Sequence, residues 1–202
     1  MCYDSPMRIS GGESKGRRIT PPGRGRSAGS AKVRPTSDKV REALFSILGE
    51  RVEGAVFLEL FAGTGAVGIE ALSRGARRTV FVDNSPGSVR LIRENVESLG
   101  YRERAAVVAK DALAFLRKTA RELGPYDIVF ADPPYHADEG PKTMEILGSA
   151  ELSDVFPEGA LAAYEHFKKN QAPEIIGRLA KKKDYLYGDT AVSLYVFTET
   201  SR

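Results

Sequence analysis

Asp132-Pro133-Pro134-Tyr135 stands directly after the apolar run Tyr126–Ala131. The two prolines remove two backbone donors and fix two φ angles, so this segment is stiff and presents carbonyls rather than N–H groups. A carboxylate beside free carbonyls suits a substrate that donates N–H bonds, and Tyr135 adds an aromatic face on which a planar group can stack. That is the chemistry of activating an exocyclic amine, whose lone pair is delocalised into its ring. With Asp132 and a loop carbonyl accepting its two N–H bonds, the nitrogen can pyramidalise toward an electrophilic methyl. Holding the two partners about 3–3.5 Å apart is orientation catalysis, with effective molarities reaching about 10⁵–10⁸ M. It requires neither a metal nor a covalent intermediate.

A second constellation lies upstream. The run Val56–Phe61 leads into Gly63-Thr64-Gly65-Ala66-Val67-Gly68 and then a helix-period segment. Glycines there let the chain turn tightly and let a ligand approach the backbone, while the helix start offers unpaired N–H groups. Asp83 ends the next strand 18 residues after Gly65, where a carboxylate can accept both ribose hydroxyls of an adenosine. The pattern fits a dinucleotide enzyme and an adenosyl-methionine enzyme about equally. Asp111, after a third apolar run, tips the balance, because an acid there can accept an adenine amine, although such an Asp also serves as a helix cap. The tetrapeptide separates the two further, since phosphate binding needs N–H donors and this loop lacks them.

These side chains need a sheet to bring them together. Short runs at Val56–Phe61, Thr79–Val82, Ala105–Ala109, Tyr126–Ala131 and Ala160–Tyr164 alternate with helix-period segments at 66–74, 86–99, 111–122, 139–149 and 171–181. Runs without polar alternation suit strands buried on both faces of a parallel sheet. Tyr185–Tyr187, Gly188-Asp189 and Val192–Phe197 read as two further strands joined by a tight turn. The expectation is an α/β, doubly wound sheet of seven mostly parallel strands ending in an antiparallel hairpin. A helix opens at Ser37, with Val40, Ala43, Leu44, Ile47 and Leu48 on one stripe and Gly49 to end it.

The chain has 202 residues, enough for one substantial core, with a net charge of +3. Residues 1–41 hold ten basic and three acidic side chains, a balance of +7, and the remainder carries −4. Such asymmetry points to a polyanion partner held by one end. Residues 1–36 therefore read as a basic arm, loop or short hairpin, and 37–202 as the catalytic domain. One cysteine, Cys2, excludes an intramolecular disulfide, and with two scattered histidines no metal site is expected. Neither a signal peptide nor a run of roughly 20 apolar residues is visible, which leaves a cytoplasmic protein with no membrane partner as the expectation.

Asp132-Pro133-Pro134-Tyr135 matches the signature of amino-methyltransferases acting on DNA adenine, RNA guanine or protein glutamine. More narrowly, the chain resembles the RsmD family, bacterial enzymes that methylate guanine N2 in small-subunit (16S) ribosomal RNA. The likeness rests on Met7-Arg8-Ile9-Ser10-Gly11-Gly12 with Lys15-Gly16-Arg17, on Arg34-Pro35-Thr36-Ser37-Asp38-Lys39-Val40-Arg41, and on Leu58-Glu59-Leu60-Phe61-Ala62-Gly63-Thr64-Gly65. Glu70-Ala71-Leu72-Ser73-Arg74-Gly75 and Tyr187-Gly188-Asp189-Thr190 extend it over about residues 7–198. It implies a class I, Rossmann-like fold with S-adenosyl-methionine as cofactor. Glu59, Phe61, Gly63, Gly65, Asp83, Asn84, Asp111 and Ala112 would then surround the cofactor, and Asp132 to Tyr135 the target amine. Arg8, Lys15, Arg17 and Arg18 would touch RNA, and Arg34 to Thr36 would close the methionine side of the pocket or touch RNA. It further implies 16S ribosomal RNA as partner, within an assembling small subunit, and a monomeric enzyme.

Other classes remain as contrasts. An NAD oxidoreductase would need a proton relay beside the glycine loop, and a non-catalytic RNA-binding assembly factor would not need the amine-binding set. His136 reads as a bystander, His166 as structural, and Lys181-Lys182-Lys183 as a solvated helix end.

Overall fold

The apolar runs have formed strands, the central ones buried on both faces and Ala105–Ala109 only half-buried at the sheet edge, which departs from the expectation for that run. In the computed structural model, which describes residues 7–21, 38–134 and 138–199, these are β1 (Val56–Leu60), β2 (Arg78–Asp83), β3 (Ala105–Ala109), β4 (Ile128–Ala131) and β5 (Leu161–Phe167). They pair in parallel, and β6 (Ile175–Ile176), β7 (Leu179–Tyr187) and β8 (Thr190–Phe197) add antiparallel strands, giving the order β3-β2-β1-β4-β5-β8-β7-β6. All five residues of β1 are buried, which is why its sequence shows no alternation.

Helices cover both faces. On one, α1 (Asp38–Leu48) and α2 (Ala66–Ser73) pack Leu44, Phe45 and Val67 against Phe57, Ile128 and Phe130. On the other, α4 (Ala112–Lys118), α5 (Ala120–Leu123) and α6 (Glu139–Leu147) bury Phe115, Ala120 and Met144 against Leu58, Leu60 and Val129. Side chains of this size contribute about 1.5–3 kcal/mol each when fully buried. The α3 helix (Pro86–Leu99) has the boundaries expected for it: the Ser85 hydroxyl caps the Ser88 N–H, Pro86 opens the first turn, and Gly100 closes it at φ 80°.

Residues 7–21 form a short hairpin, one of the forms expected for this segment. Arg8 bridges Arg18, Ile19 N–H donates to Met7 O at 2.9 Å, and Gly16 N–H donates to Ile9 O at 2.8 Å. Met7, Ile9 and Ile19 are buried in a third cluster with Ala62, Ala66, Ile69, Ile92 and Leu99. This strap lies so close to α2 that a Cβ on Gly12 would sit 1.8 Å from Ser73 O. Glycine is required there by approach, and also by its φ of 78°.

Four expectations need correction. The helix expected over 171–181 is absent: 175–176 and 179–187 are strands, and the sheet has eight strands rather than seven. Lys181, Lys182 and Lys183 accordingly belong to β7 and not to a helix end. The helix expected over 111–122 is two helices, broken where Thr119 leaves helical geometry (φ −127°, ψ −22°) and its hydroxyl accepts from the Lys110 ammonium.

Candidate active site

Register alone gathers the acids at one edge. Leu60 pairs with Val82 on one side and Ala131 on the other, while Asp83 pairs with Ala109. Phe61, Asp83 and Asp132 therefore stand side by side one step beyond those pairs, with Asp111 two residues past Ala109. The edge is the carboxyl end of the parallel strands, and β1/β4 is where the strand order reverses, the usual ligand crevice of a doubly wound sheet.

The turn after β1 holds unusual backbone. Phe61 has φ 58°, an uncommon value for a residue with a bulky side chain, and Gly63 and Gly65 follow at 55° and 74°. The Asp83 carboxylate fixes this turn: Oδ2 accepts Gly63 N–H and Oδ1 accepts Ser85 N–H, both at 2.8 Å. Asn84 is exposed beside it and Ala112 is buried below. Asp111 Oδ1 caps α4 by accepting Ala114 N–H at 3.0 Å. The capping half of its expected role is thus present in the geometry.

Glu59 sits differently from the other acids. Its side chain is buried, and Oε2 accepts Gly68 N–H at 2.9 Å in the first turn of α2. Burial pushes its carboxyl up to about 8, with the Asp83 charge adding to the rise and the Gly68 and Val67 N–H groups opposing it. The helix start that would hold a pyrophosphate in a dinucleotide enzyme already carries an internal carboxyl group. An anionic ligand group is disfavoured there. Gly68 itself is demanded by packing, since a Cβ would meet Phe81 at 2.4 Å and Glu59 Oε2 at 2.7 Å.

Asp132 is half-buried, Pro133 buried and Pro134 exposed. Pro133 and Pro134 line a cavity of about 560 Å³ with Gly140, Met144 and Tyr164, a volume within the range of small-molecule pockets. Tyr164, which pairs with Ala131 across β4 and β5, has its hydroxyl raised above the ordinary range by burial and then by the Asp132 charge. A Cβ on Gly140 would lie 2.5 Å from the Tyr164 hydroxyl and 3.0 Å from Pro133, so glycine permits this three-way contact. Sequence reasoning passed over Tyr164 as the end of an apolar run. Tyr135 and His136 lie outside the described residues.

The basic residues divide. Arg8, Lys15, Arg17 and Arg18 are all exposed on the strap; Arg8 donates to Gly16 O at 2.8 Å, and Arg17 to Leu99 O at 3.1 Å and Ser98 O at 2.7 Å at the carboxyl end of α3. Arg34 and Thr36 lie outside the described residues. Arg41, counted above with the polyanion-facing charge, is wholly buried and faces Glu70 at 3.4 Å, and Glu70 also holds Arg74 and the Ser10 hydroxyl. His166 is buried and packed, stacked on Tyr164 and bonded to the Ser193 hydroxyl at 2.8 Å. Among the described residues no group of His, Cys, Asp and Glu could hold a metal ion, and no helix is long and apolar enough to cross a membrane.

The family model described as "Conserved hypothetical protein 95" matches residues 7–196. The chain is 32% identical over 189 residues to "Ribosomal RNA small subunit methyltransferase D" of Escherichia coli (strain K12), covering 94% of this chain and 89% of that one. The chain belongs to the RsmD family. The "Putative rRNA methyltransferase YlbH" of Bacillus subtilis (strain 168) is also 32% identical, over 94% of this chain and 98% of its own. The solved structure "Putative methyltransferase yhhF from Escherichia coli" superposes with a TM-score of 0.81 at 29% identity, covering 96% and 98% of the two chains. Like other RsmD-family members, the protein has the class I fold and is an S-adenosyl-methionine-dependent methyltransferase.

Proposed function

We propose that the protein transfers a methyl group from S-adenosyl-methionine to the exocyclic N2 amine of a guanine in small-subunit (16S) ribosomal RNA. The observation that carries this reading is the register that sets the Asp132-Pro133-Pro134 turn beside the glycine loop. The names of the relatives from E. coli and B. subtilis supply the ribosomal substrate class. The edge also fits the donor's chemistry, because it offers carboxylates and a tight glycine turn, with the α2 amides engaged by Glu59.

When bound, S-adenosyl-methionine supplies an electrophilic sulfonium methyl. The chain does the rest by position. Phe61, Gly63 and Gly65 would form the floor of the cofactor site, with Asn84 and Ala112 at its border, and Glu59 anchors the first turn of α2 by its bond to Gly68. Asp83, keeping its two backbone partners, would accept the ribose hydroxyls on its remaining lone pairs, and Asp111 would do the same for the adenine amine. Asp132 and a loop carbonyl accept the N–H bonds of the guanine amine, aiming its lone pair, while Tyr135 stacks the base. The guanine is unpaired or flipped, since a base in a stem cannot reach this crevice. Arg8, Lys15, Arg17 and Arg18, with Arg34 and Thr36, hold phosphates and position the RNA. The protein acts as a cytoplasmic monomer on an assembling small subunit.

Asp132→Ala tests the chemistry. It leaves the dissociation constant of S-adenosyl-homocysteine unchanged while methyl transfer falls by about 10²–10³; transfer at the wild-type rate would sink the mechanism. Mass spectrometry of ribosomal RNA from a gene-deletion strain tests the substrate. One N2-methylguanine missing from 16S RNA is the expected result, and loss of a methyladenine instead would overturn it.

A further inference from the structure

The strap and the glycine loop meet at one buried side chain that no motif singled out. Asn95, on α3 and 1% exposed, pairs with the backbone of Thr20 in both directions: Oδ1 accepts Thr20 N–H at 2.9 Å and Nδ2 donates to Thr20 O at 3.2 Å. The same Nδ2 donates to Thr64 O at 3.3 Å, inside the Gly63-Thr64-Gly65 turn. A buried amide that satisfies two segments at once fixes their separation, because freeing either carbonyl or the Thr20 N–H without water costs a hydrogen bond.

Two further contacts join the same pieces. The Thr64 hydroxyl approaches Met7 Sδ at 3.9 Å, and Met7, Ile9 and Ile19 share a cluster with Ala62 and Ala66 on either side of the turn. Ile92, one turn before Asn95, lies within 3.2 Å of where a Gly65 Cβ would stand. The turn is therefore gripped between α3 and the strap.

We propose that Asn95 is a positioning residue that makes the strap a working part of the cofactor site, so that strap docking and cofactor binding are coupled. This rests on the reading above that the cofactor lies over the glycine loop. By linkage, RNA held on the exposed Arg8, Lys15 and Arg18 tightens cofactor binding, and the cofactor tightens RNA binding by the same factor.

The test uses Asn95→Ala and Thr20→Pro, the latter removing the strap N–H that Asn95 Oδ1 accepts. S-adenosyl-homocysteine binding is measured by calorimetry on the full chain, with folding checked by circular dichroism. Each variant weakens binding by about 5- to 150-fold, while kcat at saturating cofactor stays within about twofold. The double variant is no worse than the weaker-binding single one, because both break the same bridge. A folded Thr20→Pro protein with wild-type affinity, or additive losses, overturns the proposal. Gly63→Val serves as control: if it keeps full affinity, the glycine loop is not the cofactor site and the underlying reading fails instead. In wild type a bound RNA hairpin tightens S-adenosyl-homocysteine, and in the double variant it does not; an RNA effect of equal size in both also overturns the coupling.

Discussion

Glu59 in β1 and Asp184 in β7 are carboxylic acids of one sheet whose acidities are driven in opposite directions. Burial raises Glu59 to about 8. Burial works against Asp184 too, but the Ser193 hydroxyl and the Lys181 ammonium overrule it and hold that carboxyl below its ordinary value. The difference lies in the partners. On the parallel side Glu59 has backbone N–H groups, a neighbouring acid in Asp83, and only the lesser pull of the Arg41 charge. On the antiparallel side Lys181 binds Asp184 at 2.9 Å, Glu174 at 2.7 Å and Ala172 O at 2.9 Å. Around Glu59 burial outweighs the backbone N–H bonds and the Arg41 charge, at a cost in stability, whereas Lys181 and its partners on β7 close their charges upon themselves. This is the division expected between a site and a scaffold.

Glu59→Gln gives this comparison its largest test. Below about pH 4.5 the carboxyl is protonated in both folded and unfolded chains. Between there and about pH 8 the unfolded chain releases the proton while the native one retains it, so native stability falls as pH rises and levels off above pH 8. Glutamine can still accept Gly68 N–H and does not titrate. The variant therefore gains on wild type through that window, by on the order of 3 kcal/mol at neutral pH, as read from urea denaturation across pH. A stability difference that does not vary between pH 4.5 and pH 8 would show that Glu59 ionises normally.

Asp83→Asn comes next. Its two oxygens each hold a backbone N–H of the crevice rim, and an amide can replace only one acceptor. Cofactor affinity falls by about 10- to 100-fold, corresponding to a charge-assisted bond of about 1.5–3 kcal/mol, with the melting temperature of the apo protein changed less than that of the cofactor complex. Wild-type affinity in calorimetry would remove Asp83 from the site.

The parallel half was legible because its cause is local. Continuous apolar runs ending in Gly, Asp or Asp-Pro-Pro specify buried strands and the turns after them, and register then aligns Phe61, Asp83 and Asp132 without further information. The 171–181 segment misled for a physical reason. Ile175, Ile176 and Leu179 fall at helical spacing, and β7 is interrupted by a register shift between Lys181 and Lys183, so its alternation breaks where a strand would have been recognised. The strap misled differently. Met7, Ile9 and Ile19 are single apolar residues among glycines and cations, and their burial depends on the surface of α2 and α3, which nothing within residues 7–21 encodes. Arg41 was miscounted for the same reason: only the fold brings Glu70 to it.

Lys181→Met is the smallest effect and the sharpest control. The Lys181 side chain is 9% exposed, yet Glu174 is 80% and Asp184 40% exposed, so water takes over most of what each acid loses. Methionine retains the aliphatic stem that packs beneath the charge. The expected loss is about 1 kcal/mol, seen as a small drop in denaturation midpoint, with methyl transfer and cofactor affinity within twofold of wild type. The Asp184 carboxyl returns toward its ordinary value, so the deficit shrinks in acid, where the wild-type pair is also protonated apart. A large loss of transfer would mean that the charges of β7 reach the crevice after all, through Ser193, His166 and the Tyr164 ring stacked on it, and the separation between site and scaffold would have to be redrawn along that chain of contacts.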